Sequence, residues 1–224
     1  MAFDLRALIF DLDGVIADTN PSHYHSWAAV AHEENIPFSP ARFEHMKGVY
    51  RWDALHFFLH GRPHSKEDAD RIMARKNAHY HELLLQMSPA DALPGAVELI
   101  DEARAAGLKL GLASSSMNAR NVLRQLQLTD RFHVLNDGAS VERHKPAPDV
   151  FLQTAEQLGV TPDEAIIFED SLAGVAAALA GGFRVVGVAA DPASKPTVLV
   201  PSLSGITLAW LHTAFAAEPN RSEA

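Results

Sequence analysis

The chain has 224 residues, of which 47% are hydrophobic and none is a cysteine. This length can bury one sizeable core, or a core domain together with a small second one. Asp and Glu outnumber Lys and Arg by 28 to 19, which gives a formal net charge of −9, and no basic tract is present. Nucleic acid and anionic membranes select clustered Lys and Arg, so neither is an expected partner. The lack of cysteine excludes disulfides, thiolate metal sites and a cysteine nucleophile.

Two features of the sequence bear on location. The first residues do not have the pattern of a signal peptide. No apolar run approaches the roughly 18–20 residues that span a bilayer. We therefore expect a cytoplasmic protein that does not enter a membrane, and we expect it to be a monomer.

Short apolar runs alternate with helical patterns over most of the chain. The first run, Leu8-Ile9-Phe10, is continuous, which is typical of a strand covered on both faces in a parallel sheet. Runs of the same kind occur at residues 108–113, 165–168, 185–188 and 198–200. Helical patterns occur at residues 96–106, 118–126, 149–158 and 172–180. This alternation predicts an α/β fold with a doubly wound, Rossmann-like parallel sheet.

Residues 17–90 interrupt the alternation after the first strand. They contain no strand-like run and have the pattern of several amphipathic helices, for example at 23–33 and 65–87, separated by proline and glycine. We predict that this segment is an inserted helical cap domain. The core domain would then consist of residues 1–16 and 91–224, with residues 218–224 frayed.

The reactive side chains stand at the ends of predicted strands or at the start of a predicted helix. They are Asp11, Asp13, Ser114, Lys145, Glu169 and Asp170. Ligands of open parallel sheets bind beyond the carboxyl ends of the strands, so we expect these side chains to meet on one rim. Clustered carboxylates repel one another and need a cation, and an all-oxygen ligand set suits Mg²⁺. A lysine and the metal could together neutralise a phosphoryl group.

This arrangement leaves one carboxylate as nucleophile and one as proton donor. We assign Asp11 as the nucleophile and Asp13 as the general acid/base, because Gly14 allows a turn that brings Asp13 over the site. As an acid, Asp13 should have a raised pKa or gain a proton when the cap closes. Taken singly, each residue has an ordinary explanation: a solvated turn, a helix cap at Ser114 or a surface lysine. Their order at successive strand ends favours the catalytic interpretation.

These motifs resemble those of the haloacid dehalogenase superfamily of phosphotransferases. The stretch Phe10-Asp11-Leu12-Asp13-Gly14-Val15 resembles the first motif, and Ser114 the second. Lys145 in His-Lys-Pro-Ala-Pro resembles the third, and Glu169-Asp170 the fourth. A helical cap inserted after the first motif is also typical of the superfamily. The dehalogenase members lack the second Asp, so Asp13 indicates phosphoryl transfer.

Within the superfamily, nearly the whole chain resembles the β-phosphoglucomutases. The matching positions are Asp18-Thr19, His23, Trp27, residues 46–51, 75–77, 88–91, 94–95 and 112–116, and Asn118. The resemblance implies that phosphorylated Asp11 converts β-glucose 1-phosphate to glucose 6-phosphate. Glucose 1,6-bisphosphate would be both intermediate and activator.

The resemblance also implies roles for individual residues. Mg²⁺ would be held by Asp11, the backbone carbonyl of Asp13 and Asp170, with Glu169 as a further ligand or behind the ligands. Ser114, Ser115 and Lys145 would bind the reacting phosphoryl group. The sugar, its distal phosphate and the cap hinge would be contacted by Thr19, His23, Trp27, Lys47, Gly48, Arg51, Lys76, Ser116 and Asn118. Thr19 would lie at the hinge, and His23 would order it by contacting Asp13 and Lys76.

Two positions depart from the family pattern. Met117 stands where the family usually has Lys, and Ala54 replaces a cap Ser. Both leave open a sugar-phosphate phosphatase that uses the same residues and lets water attack the phospho-Asp. A non-enzymatic alternative is a phospho-accepting receiver module, although such modules are about half this length and have no cap.

Overall fold

The computed structural model describes residues 4–216, so the predictions for residues 1–3 and 218–224 lie outside the described residues. Six parallel strands form one sheet in the order β3-β2-β1-β4-β5-β6. The strands are β1 Ala7–Phe10, β2 Lys109–Ala113, β3 Val134–Asn136, β4 Ala165–Glu169, β5 Arg184–Val188 and β6 Val198–Val200. The predicted α/β class and parallel sheet are confirmed.

Helices cover both faces of this sheet because alternate residues of each central strand point to opposite sides. In β1, Leu8 and Phe10 join one buried cluster, and Ala7 and Ile9 join the other. The first cluster is completed by α5 Ala96–Ala105, α6 Ala119–Gln125 and α9 Leu208–Phe215. The second is completed by α7 Asp149–Leu158 and α8 Leu172–Ala180. This two-faced burial explains the continuous apolar runs in the sequence.

The segment between β1 and α5 is helical, and its helices bury a third cluster of their own. They are α1 Asn20–Glu33, α2 Pro40–Glu44, α3 Arg51–Leu59 and α4 Lys66–Leu84. Most of α4 packs against α1 inside this cluster. Its last turn differs, because Tyr80 and Leu84 belong to the cluster of the sheet. Helix α4 therefore connects the inserted helices to the sheet.

Strand β3 and helix α9 were not predicted, and helices α2 and α3 were predicted only as unspecified helices of the segment 17–90. Strand β3 has only three residues and lies at the sheet edge, where Val134 and Leu135 are half-buried. Helices α2 and α3 are short. Helix α2 begins at Pro40, and α3 follows Tyr50, whose side chain makes no capping hydrogen bond. Helix α9 does have a capping residue, Thr207, whose side chain accepts from the backbone N–H of Trp210.

Within residues 4–216, no helix combines the length and the apolar character required to cross a membrane.

Candidate active site

The carboxyl ends of the central strands form the rim of the site. Phe10 of β1 pairs in register with Leu112 of β2 and with Phe168 of β4. Asp11 comes directly after Phe10, and Glu169 directly after Phe168, so the sheet register brings the two carboxylates to the same height. Two side chains that are 158 positions apart in the chain thus meet at the strand ends.

The ammonium group of Lys145 is fully buried between these carboxylates. It donates hydrogen bonds to Asp11 Oδ1 at 2.6 Å and to Glu169 Oε2 at 2.8 Å. Its third bond goes to the carbonyl of Ala113 at 3.0 Å. Burial by itself would lower the pKa of Lys145, but the two carboxylates outweigh burial and raise that pKa above its usual range. Lys145 is therefore a fixed positive charge beside Asp11.

Asp11, Glu169 and Asp170 form an acidic cluster in which one oxygen of each lies within 4.8 Å of the others. Burial raises the pKa of Asp11 to about 8, although Lys145 opposes the shift. Burial and the charges of Glu169 and Asp11 likewise raise the pKa of Asp170. Three acids face a single lysine, so a cation is needed to keep them ionised. Three close oxygens without histidine or thiolate fit Mg²⁺.

Glu169 is held more rigidly than its two neighbours. Its Oε1 accepts from the hydroxyl of Ser171 at 2.7 Å and from the Ser171 N–H at 3.0 Å. A Cβ at Gly174 would lie 2.0 Å from its carboxyl carbon, so α8 can approach this closely only with glycine. Since Oε2 is bound to Lys145, a cation would find freer oxygens on Asp11 and Asp170.

Asp13 lies on the cap side of the rim. Its Oδ1 accepts a hydrogen bond from the Thr19 hydroxyl and is 3.7 Å from His23 Nε2. The carboxylate is thus not part of the acidic cluster, in keeping with the prediction that Asp13 would reach the metal only through its backbone carbonyl. A ligand role for its backbone carbonyl stays a prediction. Gly14 has the positive φ of 85° that the turn after Asp13 requires.

The expected raised pKa of Asp13 is wrong for this structure. Burial is the largest single influence and would raise the pKa of Asp13, but the contacts from His23 and Thr19 and the charge of Lys76 together lower it. Asp13 is therefore ionised and ready to accept a proton. That it gains one when the cap closes stays a prediction.

His23 lies between Asp13 and a buried cap lysine. Its Nδ1 is 2.9 Å from Lys76 Nζ, and its ring stacks on Tyr80 with centroids 4.2 Å apart. Burial lowers the pKa of Lys76 to about 7, with Asp13 opposing and Arg51 assisting the shift. Trp27 is buried in the same region, and its ring centroid lies 5.8 Å from Lys76 Nζ. These contacts tie α1 and α4 to Asp13.

The loop between α2 and α3 lies directly on the core. The Ser115 hydroxyl donates to the carbonyl of Gly48 at 2.9 Å, so here Ser115 contacts the cap. A Cβ at Gly48 would lie 2.2 Å from Ser171 Oγ, which means that only glycine fits at this contact. Two residues on, the ring of Tyr50 stacks on His144 with centroids 3.4 Å apart and planes 13° apart. The inserted helical segment is therefore in direct contact with the rim.

A cleft of about 660 Å³, including its part open to solvent, lies between the cap and the rim. The predicted residues that line it are Asp13, His23, Trp27, Lys47, Gly48, Arg51, Lys76, Ser115, Ser116 and Asn118. Lys47 forms an ion pair with Glu44 at 2.8 Å. Arg51 is the first residue of α3, and its Nε is buried with no hydrogen-bond partner among the described residues. Anion binding by this donor remains a prediction.

The loop after β2 contributes hydroxyl and amide groups to the cleft. Ser114 is buried, and its Oγ accepts from the N–H of Ser116 at 3.1 Å. Ser116 Oγ in turn accepts from the N–H of Asn118 at 3.2 Å. Each hydroxyl therefore keeps its own proton available for a ligand oxygen. Phosphate binding by Ser114 and Ser116 remains a prediction.

Several residues near the site were missed by the sequence analysis. Asn20 lines the cleft with its Nδ2 3.5 Å from Asp170 Oδ2, and Asn77 also lines it. His81, Tyr50 and His144 contact cleft or rim residues. Asn77, Tyr50 and His144 lie in stretches that resemble the family but were given no role, and Asn20 and His81 lie outside those stretches. The packing of the inserted helices on the core brings all five to the site.

The sequence model of the haloacid dehalogenase-like hydrolases matches residues 5–182. The chain belongs to the haloacid dehalogenase-like hydrolase family. The match begins just before β1 and ends after α8, so it includes the first, second, third and fourth motifs of the rim. The family resemblance predicted from the motifs is confirmed.

Relatives within this family include mutases and phosphatases. The β-phosphoglucomutase of Bacillus subtilis (strain 168) is 37% identical over 213 residues, covering 93% of this chain and 94% of that protein. The crystal structure of a β-phosphoglucomutase from Clostridium difficile has a TM-score of 0.89 at 32% identity, covering 94% of this chain and 96% of that one. A phosphorylated carbohydrates phosphatase of Thermotoga maritima is 30% identical, covering 82% of this chain and 85% of that protein.

Family membership and these relatives establish the general class of activity. The protein is an enzyme that acts as a phosphotransferase or phosphatase. The receiver-module alternative is excluded, because the family match and the cap are those of an enzyme.

Proposed function

We propose that the protein is a β-phosphoglucomutase that interconverts β-D-glucose 1-phosphate and glucose 6-phosphate. The observation that carries the proposal is Arg51, which gives the cleft a cationic group separate from Lys145. A phosphatase needs one site for phosphate, whereas a bisphosphate intermediate needs two. Lys145 and the acidic cluster would serve the reacting phosphoryl group, and Arg51 would serve the distal one.

The residues of the rim support the first half of the cycle. The 6-hydroxyl of the sugar would attack the phosphorus of phosphorylated Asp11, and the bond from phosphorus to Asp11 would break. Asp13, ionised and on the cap side of the rim, would take the hydroxyl proton. In the second half, Asp11 would attack the 1-phosphoryl group and Asp13 would return the proton to the departing sugar oxygen.

The cation and the cap have supporting roles. Asp11 and Asp170, with Glu169 beside them, would hold Mg²⁺, which would supply positive charge to screen the phosphoryl oxygens. Lys145 orients Asp11 through its 2.6 Å hydrogen bond. Closure of the cap through Gly48 and Ser115 excludes water from the phospho-Asp.

Further parts of the proposal concern partners and organisation. Glucose 1,6-bisphosphate would load Asp11 and serve as the intermediate.

Residues 17–90 would be the cap and residues 1–16 with 91–224 the core. The separate buried cluster of the cap helices supports this division. Thr19, at the start of α1 and bonded to Asp13, would be the hinge. The enzyme would act as a cytoplasmic monomer.

A sugar-phosphate phosphatase is the second candidate, and Met117 favours it. This side chain lines the cleft, is 38% exposed and brings no charge to the distal phosphate. A weaker grip on the sugar would let water enter before the bisphosphate turns over.

Phosphorus NMR of the protein with Mg²⁺, β-glucose 1-phosphate and a trace of glucose 1,6-bisphosphate tests the proposal. We expect glucose 6-phosphate with little inorganic phosphate. Inorganic phosphate as the main product would overturn the mutase assignment in favour of the phosphatase.

A further inference from the structure

The side chain of Asn118 does not cap the helix that it precedes. It stands at the N-terminal boundary of α6, yet it makes no capping hydrogen bond there. Both ends of its amide instead contact α4 of the cap. Its Oδ1 lies 2.8 Å from His81 Nε2, and its Nδ2 donates to Asn77 Oδ1 at 3.0 Å. Asn is a favoured capping residue, so the use of this side chain for contacts with α4 instead of a cap requires another explanation.

These two bonds fix the direction of the amide. His81, through its Nε2–H, donates to the amide oxygen, and Asn77 accepts one of the two amide N–H groups. The second N–H of Asn118 has no described hydrogen-bond partner, and Asn118 lines the cleft. The neighbouring Ser116 hydroxyl accepts the Asn118 backbone N–H and keeps its proton to donate. Two donors are thus presented side by side.

We propose that His81 and Asn77 are positioning residues that orient Asn118 to donate to the distal phosphate of the substrate. The proposal rests on the mutase function proposed above. It adds two cap residues that would not touch the substrate themselves. Because Met117 supplies no charge beside Asn118, a correctly oriented neutral donor there matters more for binding.

The contact also joins two parts of the molecule. His81 and Asn77 lie on α4, and Asn118 lies on the loop after β2. The hydrogen bonds therefore exist only while the end of α4 is seated on the core. The side chain of His81 is exposed on its other side, so the bond contributes more to the orientation of Asn118 than to burial.

The test compares His81→Ala with the wild-type enzyme in steady-state turnover of β-glucose 1-phosphate. Losing one neutral hydrogen bond should raise KM about 3- to 10-fold and change kcat less than about 2-fold. Acetyl phosphate, which carries a single phosphate, should phosphorylate Asp11 at the wild-type rate. His81→Gln, whose amide N–H can replace Nε2–H, should restore KM.

His79→Ala is the matched control. His79 lies two positions earlier on α4 and bonds to Glu33 at 2.8 Å rather than to Asn118. This variant should retain the wild-type KM. An unchanged KM in His81→Ala would overturn the proposal. So would an equal loss with acetyl phosphate, because that result would mean a general structural effect.

The role of His81 can still be tested if the mutase assignment fails. A wild-type enzyme without mutase turnover would disprove that function by itself. Calorimetric titration of glucose 6-phosphate into the Mg²⁺-loaded wild-type protein and His81→Ala would then decide the role of His81. Binding that is about 3- to 10-fold weaker in the variant supports the proposal, and equal binding overturns it.

Discussion

At the scale of single residues, the chemistry of the rim depends on a charge imbalance, because a single lysine faces three carboxylates. Lys145 bonds to both Asp11 and Glu169, yet the pKa of Asp11 is still raised by burial to about 8. Asp11 is a nucleophile only when ionised. Lys145 therefore positions the proposed nucleophile Asp11, and a cation is required to keep Asp11 charged.

Asp11→Asn should abolish phosphorylation and turnover, since an amide cannot form the acyl phosphate. The fold should persist, because an uncharged group of the same size removes repulsion within the acidic cluster while Glu169 still pairs with Lys145. Turnover should fall at least about 1,000-fold with an unchanged melting temperature. Residual turnover above about a tenth of wild type would refute the assignment of the nucleophile.

Arg51→Ala should reduce mutase flux far more than hydrolysis of a small phosphate ester. The reason is that its buried, unpaired Nε lines the cleft, whereas a single-phosphate ester needs only the rim. Loss of a charge-assisted bond predicts a fall in kcat/KM of about 10- to 100-fold. Arg62→Ala is the control, since this cap arginine is exposed and donates to the carbonyl of Asn35. Equal effects of Arg51→Ala on both reactions would contradict the distal-phosphate role.

At the scale of elements, the loop between α2 and α3 decides how the cap meets the core. Its contacts are a hydrogen bond from Ser115 to Gly48 and the stacked rings of Tyr50 and His144. His144 directly precedes Lys145, so this stacking connects the first turn of α3 to the lysine loop. Partial burial lowers the pKa of His144, with Asp53 opposing, and this favours the neutral ring.

Tyr50→Ala should increase the share of inorganic phosphate among the products. The stacked pair favours the closed cap, and an aromatic pair of this kind is worth about 0.5–1.5 kcal/mol, which corresponds to a change of about 2- to 13-fold in closure. Tyr50→Phe keeps the ring and should behave as wild type. The measurement is the ratio of inorganic phosphate to glucose 6-phosphate by phosphorus NMR. The same ratio in all three proteins would exclude a role for the stack.

At the scale of the whole molecule, stability should depend on pH and Mg²⁺ together. The folded pKa of Asp11 is about 8 against an ordinary 3.8. Without a cation the folded protein thus holds a proton that the unfolded chain has released across this window. This contribution to stability is complete below the ordinary pKa and is lost as the pH rises through about 8. Asp170, whose pKa is also raised, acts in the same direction.

The gain in melting temperature from saturating Mg²⁺ over EDTA should therefore increase between about pH 5 and about pH 8. Mg²⁺ has to displace these protons, so its apparent affinity should rise by up to about tenfold per pH unit for each proton. The pKa values of Lys76 and His23 are lowered, so these two residues make stability rise with pH. This effect is the same with and without the metal. A gain that is independent of pH would show that Mg²⁺ binds elsewhere.

Much of the fold follows from the sequence because it depends on local patterns. Buried parallel strands require continuous apolar runs, and β1 and β4 have them. The helices at 149–158 and 172–180 were predicted to the residue, since Pro148 and Gly159 bound the first and Ser171 caps the second. Strand β3 was missed because three edge residues, two half-buried and the third a buried asparagine, leave no such pattern.

The family, the parallel sheet and the candidate site residues can be predicted from the sequence, because those residues stand in fixed positions at strand ends. The contacts and the charge of each carboxylate depend on the folded chain. Asp13 contacts Thr19 and His23, and these contacts lower the pKa of Asp13, which was expected to rise. Both carboxylate oxygens of Glu169 accept hydrogen bonds. The tertiary structure also brings His81 to Asn118 across the cap boundary. A pKa and a contact between domains depend on neighbours distant in sequence, so only the folded chain specifies them.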